Sequence, residues 1–518
     1  MAHRDLEKKC KATLTRVPKL RYLYIMTTHD EVPVLVQMPK SRRSPLWIVL
    51  AAVLATCLVA TVVLVLNGQS KTDKITSRLL NVGDLPAGWS VNLAPATSVL
   101  SHNQCLGGLG RENGANTFEA TADFTENSSL PLFHELLSSR RADKAGFKKA
   151  VDALSSCGSL TFVEGNKTIH GTIQSLTLGN LGASSAAFTL SFVISKINVV
   201  ADLVVFQTPL YVGEVEYADI AAPEISTVQS LAREAVTKAE GNAVSVPNIP
   251  MSIVSAPIRV AHTAMGSVAY REIGSGPPMV LIAGYGSTMQ IWDRRFVDAL
   301  AENHQVVIFD NASIGKTAPL PAPLTIDEMA NQTSALITTL GLEQPSVLGW
   351  SMGGMIAQAL AVLHPSQVGR LVLCATYPGT GTAVPPQANI DALTSGDVQK
   401  ELAQLFPADQ SVAQSTYLVA VSEFPHGPSA SKALIAAQGN ASLQWFNGAD
   451  AAGKETGQIS IPTLVADGTV DRLNPVANAY HIASLIPGST LVLYPNAGHA
   501  FLFQDLAAFV PVIESFLR

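Results

Sequence analysis

The sequence predicts an α/β protein in which a mostly parallel sheet with a helical insertion fills the carboxyl-terminal half, behind a smaller α+β unit and one membrane-spanning helix. Three observations lead there. Residues 46–66 are a 21-residue run without a charge. Residues 187–217 read as consecutive strands with short connections, and from residue 258 onward short apolar runs alternate with helical stretches. At ~150 residues per domain, a chain of 518 residues has room for several units. Only 14% of the residues are charged, against ~25% in ordinary soluble domains, which argues for a large core and against disorder.

Residues 1–45 hold ten Lys/Arg and four Asp/Glu, a net +6, so a chain of net charge -6 carries -12 over the rest. A surface that acidic excludes a nucleic-acid binder, because phosphate contacts need a basic face. The apolar run, LWIVLAAVLATCLVATVVLVL, spans ~30 Å at 1.5 Å per helical residue, the thickness of a bilayer core. Arg42 and Arg43 precede it, so the positive-inside rule keeps residues 1–45 cytoplasmic and puts everything after Asn67 outside. A 45-residue leader is long for a signal peptide, and Val65-Leu66-Asn67-Gly68 offers no A-x-A-like cleavage site. The expected state is a signal anchor in the cell membrane, crossing once, with Met1 or Met26 as the start.

The first extracytoplasmic unit runs from 71 to 239. Ala145, Phe147, Val151 and Leu154 fall on one side of a helix over Lys144 to Ser156, and strands follow at 187–195, 198–207 and 210–217. Pro223 to Ala239 reads as a helix, with proline near its first turn and Gly241 past its end. Cys105 and Cys157 share this unit, where an oxidising compartment permits a disulfide between them; two buried free thiols are the alternative. No cysteine or histidine pair has chelating spacing, so no metal is expected. The hexapeptide Asp84-Leu85-Pro86-Ala87-Gly88-Trp89 resembles the openings of small exported lipoprotein and sensor-like modules of actinobacteria. A turn capped by a packed tryptophan explains it equally well.

Residues 241–257, with Pro247, Pro250 and Pro257 among small residues, read as a linker. In the last unit, 258–518, strands are expected at 278–283, 305–309, 346–349, 370–375, 462–466 and 490–494. Thr325 and Glu328 make a capping box for a helix over 326–340. Residues 377–460 are too long for a loop between two strands and read as an inserted helical subdomain. This insertion is expected to form a lid over the site, with Trp445 and Phe446 lining a substrate pocket. Packing of its aromatics onto a small core of their own is the alternative.

The chemistry is carried by Gly349-Trp350-Ser351-Met352-Gly353-Gly354, between a strand and a helix. A serine on so sharp a turn needs small neighbours, because a side chain two positions away collides with the adjoining elements. A serine hydroxyl is a weak nucleophile without a positioned base. His499, just beyond the last strand, is the best base, since His364, His426 and His481 sit at helix ends, in the insertion or within helices. Asp471 follows the strand 462–466 and is the expected orienting acid, with Asp467 as runner-up. The oxyanion would be held by the backbone N–H groups of Met352 and of Tyr285, in Ala283-Gly284-Tyr285-Gly286. No cofactor is required.

Together, Ile282 to Gly286, Phe309 to Gly315, the elbow at Gly349, Gly468 to Asp471 and Gly498-His499 resemble the α/β-hydrolase superfamily. The likeness is greatest to its esterases and metal-free haloperoxidase-like enzymes. It implies a carboxylesterase or lipase-like serine hydrolase acting on a small-molecule or lipid ester. A perhydrolase with the same triad is one alternative, and a non-catalytic ligand-binding or sensor protein on the same fold is another. Two departures stand out: Ala283-Gly284 replaces the frequent His-Gly before the oxyanion loop, and Ser313 and Lys316 alter the turn after Asp310. Ser351 itself argues against an epoxide or haloalkane hydrolase, which the resemblance would require to carry a carboxylate nucleophile.

Overall fold

The computed structural model describes residues 75–518 except 87, 93–118, 127–129, 140–143, 165–166, 180, 182, 195, 221, 248–250 and 426–428. The expected cytoplasmic segment 1–45, the span Leu46–Leu66 and Cys105 lie outside the described residues. Among the described residues no helix is long and apolar enough to cross a membrane.

The first unit is built on an eight-stranded antiparallel sheet. Its strands are β1 (Trp89–Val91), β2 (Glu119–Glu126), β3 (Leu132–Ser138), β4 (Ser159–Glu164), β5 (Lys167–Leu176), β6 (Ser184–Ile194), β7 (Ile197–Gln207) and β8 (Val212–Asp219), in the order β1-β2-β3-β8-β7-β6-β5-β4. Central β7 is apolar on both faces because both are covered. Val204 and Phe206 pack with Val228, Leu231 and Ala235 of helix α2 (Ile225–Glu240), whereas Ala201, Leu203 and Val205 join Leu154 of α1 (Lys144–Ser155) on the other face. Helix α2 ends where Gly241 turns left-handed at φ 90°, a conformation that glycine alone adopts without cost. Trp89 is buried against the rings of Phe133 and Tyr217, which gives its turn a packing role.

The second unit is also eight-stranded, in the order β16-β15-β14-β13-β11-β12-β10-β9. Strands β11 (Pro278–Ile282), β12 (Gln305–Phe309), β13 (Ser346–Trp350), β14 (Arg370–Cys374), β15 (Thr463–Gly468) and β16 (Thr490–Tyr494) run parallel. Strands β9 (Arg259–Thr263) and β10 (Gly266–Ile273) pair antiparallel at the edge. Side chains alternate across the sheet: Met279 and Leu281 of β11 enter one core with Phe296 and Leu300 of α3 (Arg294–Ala301), and Val280 and Ile282 enter the other with Met329 and Ile337 of α4 (Ile326–Leu340). Thr325 caps α4 by accepting the Glu328 N–H. Helix α5 (Met352–Leu363) follows β13, and the interval between β14 and β15 carries α6 (Val398–Leu405), α7 (Ser411–Ser422), α8 (Lys432–Phe446) and α9 (Ala451–Lys454). The chain closes with α10 (Ala477–Leu485), α11 (Phe501–Gln504) and α12 (Leu506–Leu517).

The stretch expected as a linker is not free over its second half. Ile253 and Ala256 are fully buried, and the buried Arg271 guanidinium donates to the carbonyls of Ile253, Val254 and Ala256. One cation thus satisfies three backbone acceptors that proline-rich sequence leaves without a regular partner.

Arg294 joins the two units and the insertion. It pairs with Asp219 at the end of β8, with Glu423 just past α7 and, at 3.9 Å, with Asp298. The β7 amide of Asn198 also donates to Thr416 of α7 at 3.2 Å. Burial outweighs the attraction of the one guanidinium and pushes Asp298 up to about 7 and Glu423 above the ordinary carboxylate range.

Candidate active site

The strand β13 ends at Trp350 and α5 begins at Met352, so Ser351 alone makes the reversal, at φ 60° and ψ −122°. A non-glycine residue holds such a conformation only when its surroundings over-determine it. Here the Ser351 N–H donates to Cys374 O at 2.9 Å, and Ser351 O accepts from Thr376 Oγ1 at 2.7 Å and from the Gly354 N–H at 2.9 Å. The flanking glycines are required by close approach: a Cβ on Gly349 would lie 2.2 Å from Gly353 O, and one on Gly353 would lie 1.9 Å from Ile282 O.

His499 follows β16 and is almost fully buried. Its Nδ1 is 2.7 Å from Asp471 Oδ2. The other Asp471 oxygen accepts the backbone N–H groups of Leu473 and Asn474, each at 2.8 Å, so the carboxylate is held at both ends. Trp350, next to the serine, donates its Nε1–H to His499 O at 3.0 Å and sets its ring 5.6 Å from the imidazole. That contact ties the histidine loop to the elbow strand.

Asp467 is also buried but turns elsewhere. Its Oδ1 accepts the Gly468 N–H and its Oδ2 accepts Asn474 Nδ2, both at 2.8 Å. Burial first, and then the adjacent Asp471 charge, push its carboxyl well above the ordinary range. Asp467 thus stands behind Asp471, held by Gly468 and Asn474, and does not itself meet His499.

The loop after β11 lies against Ser351: a Cβ on Gly284 would stand 3.2 Å from Ser351 Cβ and 3.7 Å from Oγ. Tyr285 is the next residue in that loop. The loop is pinned at two points that sequence reasoning did not identify, where Asn311 Nδ2 donates to Ala283 O at 3.1 Å and the Gly286 N–H donates to Gln438 Oε1 at 2.8 Å. Met352 opens α5, where backbone N–H groups lack helical acceptors and the helix dipole favours an anion.

The two insertion residues expected to line a pocket part company. Trp445 is fully buried in the core beneath α8, donates Nε1–H to Tyr377 O at 3.1 Å, and fills space left by Gly379. Its indole is a packing element because its polar edge finds a backbone acceptor there. Phe446 is partly buried with its ring 5.5 Å from that of Tyr377. Tyr377 in turn donates its hydroxyl to Leu473 O. Two further bonds hold the start of the insertion, Gln387 N–H to Arg472 O of the Asp471 loop at 2.7 Å and Asn478 Nδ2 of α10 to Val384 O at 2.9 Å. Cys157 is disulfide-bonded, and among the described residues no cluster of His, Cys, Asp or Glu could hold a metal ion.

The profile of the alpha/beta hydrolase fold family matches residues 277–506. The chain is similar to a pimeloyl-acyl-carrier-protein methyl ester esterase of Aeromonas hydrophila, 27% identical over 48% of this chain and 99% of that protein. A 2-hydroxymuconate semialdehyde hydrolase of a Pseudomonas species is 25% identical over 52% of this chain and 94% of its own length. Polyketide synthase ThaQ of Burkholderia thailandensis is 30% identical over 47% of this chain, which spans only 12% of that protein. Among solved structures, an alpha/beta hydrolase fold protein from Chitinophaga pinensis is 25% identical, with a TM-score of 0.44 over 52% of this chain and 99% of its own.

Proposed function

The chain belongs to the α/β-hydrolase superfamily, with residues 277–506 matching the alpha/beta hydrolase fold family, and from that premise we propose that the protein is a serine carboxylic ester hydrolase. The observation that carries the reading is the buried Asp471–His499 pair at 2.7 Å, on a loop bound through Trp350 to the strand that ends in Ser351.

Asp471 keeps the proton of His499 on Nδ1, which leaves Nε2 free to accept the Ser351 hydroxyl proton as Oγ attacks the ester carbonyl. The N–H groups of Tyr285 and Met352 receive the oxyanion. Collapse expels the alcohol, protonated by His499, and water activated by the same imidazole then releases the acid from the acyl-enzyme. The relatives include an esterase by name, which supports an ester as the substrate. The apolar run 46–66 and its basic flank support anchorage in the membrane with this domain outside, and the disulfide-bonded state of Cys157 agrees with an oxidising compartment.

A fluorophosphonate probe tests the assignment. It is expected to label the native protein and to spare Ser351→Ala and His499→Ala, with ester turnover falling by roughly 10⁴ or more. Undiminished labelling of Ser351→Ala would remove the nucleophile from the reading.

A further inference from the structure

We propose that Gln438, on helix α8 of the insertion, is a positioning residue for the oxyanion donor of Tyr285, an inference that rests on the serine-hydrolase reading above. The N–H of Tyr285 belongs to the peptide joining Gly284 to Tyr285. The preceding peptide is pinned through Ala283 O by Asn311 Nδ2 at 3.1 Å, and the following one through the Gly286 N–H by Gln438 Oε1 at 2.8 Å. Peptide units are rigid and turn only about φ and ψ. The donor plane therefore lies between two planes held from outside the loop, and little freedom remains to it.

Only one of the two clamps comes from the sheet scaffold. Asn311 follows β12, whereas Gln438 is 152 residues away from Gly286 in sequence, on the insertion. Gln438 is fully buried, so its amide oxygen is not exchanged for water, and its Nε2 has no hydrogen-bond partner in the described structure. A buried amide whose oxygen is its one engaged atom is oriented by that single bond. The packing agrees: Gly286, left-handed at φ 68°, leaves a Cβ position 3.1 Å from Thr394 and 3.9 Å from Ile435, and Gly439 leaves one 3.4 Å from the Tyr285 hydroxyl. Helix α8 thus rests directly on the Tyr285–Gly286 segment. Oxyanion donors contribute only if held at 2.7–3.1 Å from where the charge develops, so this placement gives the insertion a part in the chemistry as well as in covering it.

The test uses the full chain and a p-nitrophenyl ester. Gln438→Met keeps length and removes the acceptor; Gln438→Glu keeps an acceptor for Gly286; Leu443→Ala, on an exposed position of the same helix, is the control. The expected result for Gln438→Met is a fall in kcat of about 10- to 100-fold, below the ~10²–10³ of a deleted oxyanion donor. KM should stay within about threefold, and the affinity for a boronic-acid transition-state mimic should weaken in parallel with kcat. Circular dichroism and thermal melting establish that each variant is folded. Should Gln438→Met fail to fold, Gln438→Glu carries the test: its carboxyl oxygen keeps an acceptor for the Gly286 N–H, so it should retain most of the activity that the native protein shows at the same pH. Unchanged kcat in a folded Gln438→Met, boronate affinity independent of kcat, or a folded Gln438→Glu that is inactive at a pH where the native protein is active would overturn the role. If the native protein neither hydrolyses esters nor takes up the fluorophosphonate probe, the serine-hydrolase reading itself has failed, which is a separate outcome.

Discussion

Replacing Asp471 by asparagine should leave the protein folded and nearly inactive. The direction follows from hydrogen-bond polarity. Oδ1 of Asp471 accepts two backbone N–H groups, from Leu473 and Asn474, so an asparagine must turn its carbonyl oxygen toward them and its NH₂ toward His499. Two donors cannot face each other, and His499 is driven to carry its proton on Nε2. That nitrogen can then no longer accept the Ser351 proton. Removing the correct tautomer in this way lowers kcat by roughly 10⁴, or about 5.4 kcal/mol at 1.36 kcal/mol per tenfold. Asp467→Asn behaves differently. Its oxygen stays with the Gly468 N–H, its NH₂ opposes Asn474 Nδ2, and the cost is one buried hydrogen bond, about 1–3 kcal/mol of stability, with kcat lowered less than tenfold. The assay is kcat/KM on a p-nitrophenyl ester across pH, alongside thermal melting of both variants. A loss below tenfold for folded Asp471→Asn, or an equal loss for Asp467→Asn, would refute the tautomer argument.

Trp445→Ala should act on stability, destabilising by about 3–5 kcal/mol as a buried large-to-small change, while Phe446→Ala costs less because its ring is only partly buried; denaturant midpoints of the two variants decide this, and equal midpoints would contradict it. Glu423→Gln should raise the melting temperature relative to the native protein more at pH 8 than at pH 5. Burial lifts the Glu423 carboxyl above its ordinary value of 4.5. The folded state therefore holds a proton that the unfolded chain has lost, and native stability falls as pH rises from about 4.5 through the folded value. Glutamine removes that dependence, so a gap that stays constant with pH would rule out the buried proton.

What the sequence determined by itself was local. Strands β11 to β16 could be read from apolar runs of four to six residues between helical stretches, and α4 from Thr325 and its cap. The elbow was legible because the crowding at Gly349 and Gly353 is set by neighbours a few positions away and by the adjoining strand. His499 could be chosen from its place after a strand. The tertiary structure decided whatever depends on residues far apart in the chain. Asp467 sits at the end of β15 and Asp471 just past it, and only the position of His499, 28 residues on from Asp471, separates the partner from the buried acid behind it. Trp445 looks the same in sequence whether it lines a pocket or fills a core; the carbonyl of Tyr377 and the bare Cα of Gly379 make it core. Strands β9 and β10 form an antiparallel pair without helical punctuation between them, and the second half of the expected linker is held by Arg271, a contact that local sequence does not show. The bonds of Arg294 to Asp219 and Glu423, 75 and 129 residues away, and the bond from Gly286 to Gln438 have no local signature, since partners brought together by chain topology leave no periodicity in the sequence between them.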